Sequence, residues 1–203
     1  MEKAPDYLKP YEEAVAAHGG SFEATLWRNK DGQYIRFKTF CNFIDFTDTS
    51  ILDVGCGIGD FAQYLLQKNI SFKSFHGIDA MGAMIDTASK RNLLHSTFET
   101  IDILKKPNIS SNYDWITFSG TLNAMREEVA RALIDCSFEA CIKGIAFNFL
   151  SDQSGRDPKN EDLTPARRFN TLAWINHALT LSTKVDFTQS YLDGHDATIV
   201  LKK

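Results

Sequence analysis

In residues 51–60, ILDVGCGIGD, a short apolar run leads directly into three glycines at alternate positions. The run predicts a buried strand, and residues 61–68 predict the helix that follows it. Glycines at such a turn leave the backbone bare, so that a ligand can lie against it. In open α/β sheets, ligands bind outside the carboxyl ends of the strands, where the strand order switches. We therefore expect this turn to hold a ligand.

From residue 50 onward, strand and helix patterns alternate along the chain. Strands are predicted at 51–54, 72–78, 96–101, 114–119 and 145–150, with helices between them. Two last apolar runs, 183–191 and 195–201, are separated by Asp193-Gly194, which is a hairpin signal. The predicted fold is α/β: a three-layer, doubly wound (Rossmann-like) sheet of seven mostly parallel strands, with a C-terminal antiparallel hairpin.

The length of 203 residues fits one domain, predicted to span 1–203. Residues 1–48 carry two helical patterns, at 11–17 and 33–46, and are predicted to form an N-terminal helical cap. A polar stretch, 151–165, interrupts the alternation before a helix predicted at 166–181. Long polar loops at the active end of such sheets often serve function, so we expect an insertion or lid there.

Composition and the absence of certain motifs disfavour several classes of function. The formal net charge is −4, whereas nucleic-acid binders usually carry a basic surplus, so nucleic acid is disfavoured as a partner. The N-terminus has no secretory h-region and the apolar runs are too short to span a bilayer, so we expect no membrane association and a cytoplasmic location. The four cysteines form no CxxC pair and are expected to be buried free thiols, and no metal is expected.

The charges around the glycines favour a cationic ligand. Asp79 ends the next predicted strand, near the spacing at which an acid binds ribose hydroxyls. Nicotinamide cofactors share this acid, but their G-x-G-x-x-G fingerprint places a helix N-terminus against a pyrophosphate. Here the third glycine comes one residue early, and Asp60 at the mouth of the helix would repel a pyrophosphate. Asp53 adds a second negative charge, so a nucleotide-dependent oxidoreductase is disfavoured.

The glycine segment resembles the first motif of the class I S-adenosylmethionine (SAM) dependent methyltransferases. The segment 76–79, His-Gly-Ile-Asp, is similar to their second strand with its ribose-binding acid, and 98–102 and 113–120 are similar to the third and fourth strands. The terminal hairpin matches the last two strands of the family, so the resemblance covers roughly residues 34–203. It implies SAM as cofactor and S-adenosylhomocysteine as product.

The resemblance also assigns residues to parts of SAM. The glycines would pack against its methionine part, Asp79 would bind the ribose, and the end of the fourth strand would border the donor methyl. Small bacterial methyltransferases also carry a His-Gly pair, a Trp and a Gln-x-x-Arg-Phe before the first motif, here 18–19, 27 and 33–37. In that arrangement Arg36 would pair with the methionine carboxylate. The expected cofactor residues are Arg36, Asp53, Gly55, Gly57, Gly59, Asp60, Asp79, Ala80 and Met81 (flanking adenine), Asp102 and Ile103 (at its edge), Ser119 and Gly120.

The acceptor is less well defined by the sequence. Methyl transfer from a sulfonium requires an aligned nucleophile and, for oxygen acceptors, removal of a proton. Candidate catalytic groups are His18, Asn123 and His195. The proline-rich run of adenine and glutamine amino-group methyltransferases and the Pro-Cys pair of cytosine-C5 enzymes are absent. The arginines 156, 167 and 168 around the insertion favour a carboxylate- or phosphate-bearing small molecule.

Two hypotheses remain open at this point. The leading one is a methyltransferase that acts on an oxygen or nitrogen atom of a small molecule. The alternative is a catalytically silent module that binds SAM or S-adenosylhomocysteine and acts as a regulatory or interaction partner, because no unmistakable acceptor-side base is visible.

Overall fold

The structure, a computed structural model, describes residues 7–110, 112–154 and 165–203. Its strands are β1 Ser50–Val54, β2 Ser74–Asp79, β3 Ser96–Thr100, β4 Trp115–Phe118, β5 Gly144–Leu150, β6 Lys184–Thr188 and β7 Asp196–Lys202. Its α-helices are α1 Lys9–His18, α2 Lys30–Phe43, α3 Asp60–Gln67, α4 Gly82–Lys90, α5 Glu127–Ala140 and α6 Thr171–Leu181.

The strands form one sheet in the order β3-β2-β1-β4-β5-β7-β6. Strands β1 to β5 are parallel, and β7 runs antiparallel between β5 and β6. The strand order reverses between β1 and β4, which opens a crevice at their carboxyl ends. This arrangement confirms the predicted α/β fold and places the glycine turn at the switch point.

Two apolar layers cover the faces of the sheet. On one face, α2 and α3 bury an aromatic cluster in which Phe37 and Phe61 lie with ring centroids 4.9 Å apart. On the other face, α5 and α6 pack on β5, where Phe147 lies 5.3 Å from the ring of Trp174. Strand β5 is buried on both faces, which explains why its sequence is almost continuously apolar.

Two details of the predicted C-terminal region are wrong. Helix α6 begins at Thr171 rather than at residue 166, because Phe169 N–H donates to Leu150 O and Asn170 caps the helix. The hairpin predicted at Asp193-Gly194 is also not tight. Strand β6 ends at Thr188 and β7 begins at Asp196, and a short 3-10 turn lies in the connection.

Helix α1 and the segment that follows it pack against α4 and the end of β2. Helix α1 ends at Gly19, whose φ of 62° stops the helix as expected. Gly20 lies so close to α4 that a Cβ atom there would clash with Ala83 O. Ala14 and Ala24 then pack with Met81 and Met84, among other residues, in a small cluster of their own. The division into cap, domain and lid remains a prediction.

The cysteines and the helix lengths bear on two further expectations. Cys56 and Cys141 are buried, but Cys41 is half-buried and Cys136 is exposed, so the expectation that all four are buried is wrong. None of the helices in the described part of the chain is both long and apolar enough to cross a bilayer.

Candidate active site

One cavity of about 910 Å³ opens at the switch point. We call the part formed by the glycine turn and by the chain following β2 and β3 the donor half. The part formed by Trp27, Arg36, Asn123, His195 and Asp196 is the acceptor half. Twelve of the predicted residues lie in the cavity wall: Arg36, Asp53, Gly55, Gly57, Asp79, Ala80, Met81, Ile103, Ser119, Gly120, Asn123 and His195.

Backbone hydrogen bonds hold the glycine turn against the end of β2. Gly55 N–H and Cys56 N–H both donate to Ile78 O, over 2.8 and 3.0 Å. Gly57 N–H and Met81 N–H donate to the two oxygens of Asp79, each over 2.9 Å. The Asp79 carboxylate is thereby fixed at the cavity wall, and each oxygen keeps lone-pair capacity for a ligand hydroxyl. Burial, as the largest effect, raises the pKa of Asp79.

The glycines of the turn differ in what they accommodate. A Cβ atom at Gly55 would lie 2.5 Å from Thr121 Oγ1, and one at Gly59 would lie 2.9 Å from Phe98 Cζ. Both of these positions therefore require glycine because protein atoms approach closely. Gly59 lies outside the cavity wall. The expectation that it packs against the methionine part of SAM is therefore wrong.

Asp53 is a buried acid at the base of the cavity. Its side chain is 3% exposed and accepts a hydrogen bond from Thr117 Oγ1 over 2.7 Å. Burial raises the pKa of Asp53 to about 7, the nearby Asp79 charge adds to the increase, and the Thr117 hydrogen bond opposes it. A positive charge in the cavity would favour the ionised form of this acid.

Asp60 does not contribute the charge expected of it. Its carboxylate lies outside the cavity wall and forms a partly buried ion pair with Arg91 at 2.8 Å. Gly59 is the N-cap residue of α3, and Asp60 is the first residue of the helix. The argument that Asp60 repels a pyrophosphate is therefore wrong, because Arg91 from the end of α4 compensates its charge.

The structure separates the two neighbouring residues that the resemblance assigns to the edge of the adenine. Ile103 lies in the cavity wall, but Asp102 does not. The Asp102 carboxylate accepts a hydrogen bond from Tyr7 Oη and pairs with Lys105 at 3.2 Å. It therefore ties the segment before α1 to the end of β3, which closes this side of the cavity.

A glycine and an indole meet at the end of β4. Gly120 N–H donates to Asn148 Oδ1 over 2.8 Å, and the Asn148 amide also reaches Ser119 Oγ. A Cβ atom at Gly120, whose φ is 74°, would clash with the ring of Trp27. Trp27 consequently lies directly over the strand end that the resemblance assigns to the donor methyl.

A buried charge network lies in the acceptor half. Arg36 donates from Nε and Nη2 to the two oxygens of Asp196, over 2.5 and 2.7 Å, and its guanidinium stacks 4.5 Å from the Trp27 ring centroid. Asp196 Oδ1 also lies 2.6 Å from His195 Nδ1. The fork of Arg36 is thus occupied by Asp196, which is not the ligand carboxylate that was expected to be its partner.

The other acceptor-side candidates are placed as follows. Asn123 lines the cavity, and its amide donates to Arg167 O over 2.7 Å. His18 is exposed at the end of α1 and is absent from the cavity wall, so it is in no position to act on a ligand there. Arg168 donates to the carbonyl oxygens of Ser151 and His195. Residues 155–164 of the predicted lid, which include Arg156, lie outside the described residues.

A family model described as a methyltransferase domain matches residues 51–144. The chain carries a class I SAM-dependent methyltransferase domain. This match covers the glycine turn, Asp79 and Ile103, and SAM is the cofactor of the family. In the described ranges 7–110, 112–154 and 165–203, no group of three or more His, Cys, Asp or Glu side chains is placed to hold a metal ion.

One curated relative of this methyltransferase domain is the ubiquinone biosynthesis O-methyltransferase of Rickettsia bellii. It is 34% identical over an alignment of 99 residues, covering 37% of this chain. The chain covers only 39% of the length of that relative. Nothing in the comparisons supports a catalytically silent module.

Two solved structures show the same fold. Magnesium protoporphyrin IX methyltransferase from Synechocystis PCC 6803 with bound SAH has a TM-score of 0.69 at 14% identity, covering 97% of this chain and 94% of that one. The small RNA methyltransferase HEN1 has the same TM-score at 16% identity, covering 83% of this chain and 25% of that one. Equal similarity to two such different enzymes means that the fold does not decide the acceptor.

Sequence reasoning missed several residues in or beside the cavity. Tyr11 lines the cavity, and burial together with the Asp79 charge raises its pKa to about 12. Asn148 is the one amide in the apolar run of β5, a signal that could have marked it. Asp196 directly follows His195, but its partner Arg36 is 160 residues away, so no local pattern reveals the ion pair.

Proposed function

We propose that this methyltransferase domain transfers a methyl group from SAM to an oxygen or nitrogen atom of a small molecule. The observation that carries the proposal is the continuous cavity of about 910 Å³, which contacts both the Asp79 turn and the His195–Asp196 pair. Ligand pockets have volumes of about 300–1,000 Å³, so this one is at the upper end of the range. That volume supports the presence of two ligands, a donor and an acceptor.

The donor half fits SAM chemically. The Asp79 carboxylate can accept ribose hydroxyls while it holds two backbone N–H groups. Met81 and Ile103 supply apolar surface for the adenine. The buried Asp53 would be stabilised in its ionised form by the positive charges of SAM.

When bound, SAM supplies a methyl group that its sulfonium has already activated. The residues of this chain then have three tasks: to fix the donor, to align the acceptor and to exclude water. Trp27 covers the end of β4 beside Gly120 and removes solvent from that position. Asn148 fixes the Ser119–Gly120 turn through both ends of its amide.

His195 is the proposed proton acceptor for a hydroxyl nucleophile. Because the Asp196 carboxylate accepts the Nδ1 proton, the neutral imidazole carries its lone pair on Nε2. Asp196 accepts hydrogen bonds in turn from Nε and Nη2 of Arg36, so the imidazole ring of His195 is oriented by a buried, rigid partner. A positioned base of this kind contributes typically about 10²–10⁴-fold to a rate.

The wall of the acceptor half favours an amphipathic small molecule. Beside Trp27, the cavity wall carries further apolar side chains: Leu26, Ile35, Met125, Leu150 and Leu192. Arg28 also lines the cavity, is exposed, and makes no ion pair within the described part of the chain. This arginine, rather than Arg168, supports an acceptor that carries a carboxylate or a phosphate.

We propose the cytoplasm as the compartment, from the sequence alone.

The test combines binding with turnover. Calorimetry should detect SAM binding, and fractions of a metabolite extract incubated with methyl-labelled SAM should yield a labelled small molecule. His195→Gln should lower turnover of a hydroxyl acceptor about 10²-fold or more, with unchanged affinity for SAM. His177→Gln is the matched control, because His177 makes the same 2.6 Å contact with a carboxylate, that of Asp135, but lies outside the cavity wall.

Three results would contradict the proposal. SAM binding without any labelled product would exclude transferase activity on the extract, and labelling of RNA rather than of small molecules would exclude the acceptor class. Equal turnover by the His195 and His177 variants would exclude His195 as the base.

A further inference from the structure

Gln33 presents a buried oxygen that no group of the protein satisfies. It lies on α2, is 5% exposed and lines the cavity. Its Oε1 is shielded from solvent and accepts no hydrogen bond from any described residue. Buried amide oxygens are nearly always hydrogen-bonded, because an unsatisfied one loses its hydration without compensation. A donor from a ligand in the cavity would satisfy this atom.

The polar neighbours of Gln33 on α2 are engaged elsewhere. Arg36 donates to Asp196 and, through Nη1, to Gly32 O. Asn29 Oδ1 caps the helix by accepting from Gly32 N–H, and Thr39 Oγ1 donates to Ile35 O. None of these groups turns toward Gln33 Oε1. The cavity that Gln33 lines is therefore the side from which a ligand can supply the missing donor.

The position of Gln33 selects one part of SAM. It is one helical turn from Arg36, which stacks on Trp27 beside the end of β4. Tyr34 and Phe37, on the same helix, pack against Tyr64 and Phe61 of α3, the helix that follows the glycine turn. The helix that carries Gln33 is thus fixed beside the end of β4 and beside the helix of the glycine turn, and none of these contacts involves Met81 or Ile103.

We propose that Gln33 Oε1 accepts a hydrogen bond from the α-ammonium group of SAM. This inference rests on the proposed function, because it requires SAM in the cavity. The ammonium carries three N–H donors and is the cationic end of the methionine part, whereas adenine and ribose donors belong to the opposite end. Gln33 would then be a specificity residue that distinguishes SAM and S-adenosylhomocysteine from adenosyl compounds without an amino-acid group.

The experiment measures dissociation constants by calorimetry for four ligands. SAM, S-adenosylhomocysteine and decarboxylated SAM carry the ammonium, and 5′-methylthioadenosine lacks it. Gln33→Leu should weaken the first three by about tenfold to a hundredfold, the range for a hydrogen bond to a charged group, and leave 5′-methylthioadenosine unchanged. Gln33→Glu keeps an acceptor at the same position and should retain the affinity for SAM.

Matched controls separate recognition from folding. Gln67→Leu alters an exposed glutamine of α3 and should change none of the four affinities. The melting temperature of ligand-free Gln33→Leu should equal or exceed that of the wild type, because the substitution removes an unsatisfied buried oxygen.

The possible outcomes distinguish this inference from the proposed function. Unchanged SAM affinity in Gln33→Leu would overturn the inference, and so would an equal loss for 5′-methylthioadenosine, which would indicate disturbed packing. A loss confined to ligands with a carboxylate would also overturn it, because Gln33 would then bind that group. If the wild type bound neither SAM nor S-adenosylhomocysteine, the proposed function itself would fail.

Discussion

The two halves of the cavity are built from different kinds of contact. In the donor half, the key contacts join backbone groups of the glycine turn to the end of the next strand, as when Gly57 N–H meets Asp79. In the acceptor half, side chains from distant segments meet each other, as Arg36 and Asp196 do across 160 residues. Contacts made by backbone groups tolerate changes in the surrounding side chains. The stability of a buried charge network, in contrast, depends on each of its charged residues.

The largest effect is expected at the centre of the acceptor half. Asp196→Ala leaves the buried Arg36 guanidinium without its counter-charge, because both partners are less than a tenth exposed. Breaking such a pair typically costs about 3–5 kcal/mol of unfolding free energy. Urea denaturation measures this loss, with Asp186→Ala as control: its partner Lys202 is about one-third exposed, and exposed pairs contribute about 0–1 kcal/mol.

A double variant sharpens this prediction. Replacing the pair by Arg36→Met and Asp196→Leu should recover part of the lost stability, since apolar residues often substitute well for a buried ion pair. Equal stability of Asp196→Ala and Asp186→Ala would contradict the view that the acceptor half depends on compensated buried charge.

The next effect tests where the two halves meet. Gly120→Ala places a methyl group against the Trp27 ring on a backbone with φ of 74°. Overpacking costs typically about 1–3 kcal/mol and left-handed strain adds about 1 kcal/mol, so we expect a loss of about 2–4 kcal/mol. Thermal unfolding measures this loss. Gly82→Ala is the control, because a Cβ atom there meets only ordinary contacts at 3.7 Å or more.

A third prediction compares two acids that look alike in sequence. Asp79→Ala should cost about 1–3 kcal/mol of SAM affinity, because a charged hydrogen-bonding group leaves the cavity wall. Asp60→Ala should change affinity far less, since Asp60 faces Arg91 outside the cavity. Calorimetry on both variants checks this. A larger affinity loss in Asp60→Ala than in Asp79→Ala would reverse their assigned roles.

These two acids show what sequence could predict and what it could not. The strands, the switch point and Asp79 follow from hydrophobic period and motif spacing, which are local properties of the sequence. Asp60 satisfied the same local criteria, but its charge is cancelled by an arginine at the end of another helix. The resemblance assigns Arg36 to the carboxylate of the ligand, and nothing near Arg36 in sequence indicates its actual partner, Asp196.

The smallest effect concerns the pH dependence of SAM binding through Asp53. Its pKa is raised to about 7 in the ligand-free protein, above the value of about 3.9 for an unfolded chain. Raising the pH from about 4 to 7 therefore ionises the unfolded state first and lowers the stability of the ligand-free protein. A bound cation favours the carboxylate, so SAM affinity should rise as the pH increases toward 7.

We expect the affinity for SAM to rise by up to about tenfold per pH unit between about pH 5.5 and 7. This range lies below the pH near 8 at which an α-amino group such as that of SAM titrates. Asp53→Asn should flatten this dependence, because the amide can still accept the Thr117 hydrogen bond but does not titrate. Calorimetry of both proteins at several pH values provides the measurement. The same slope in both proteins would mean that ionisation of Asp53, the buried acid at the base of the cavity, is not linked to the charge of the ligand.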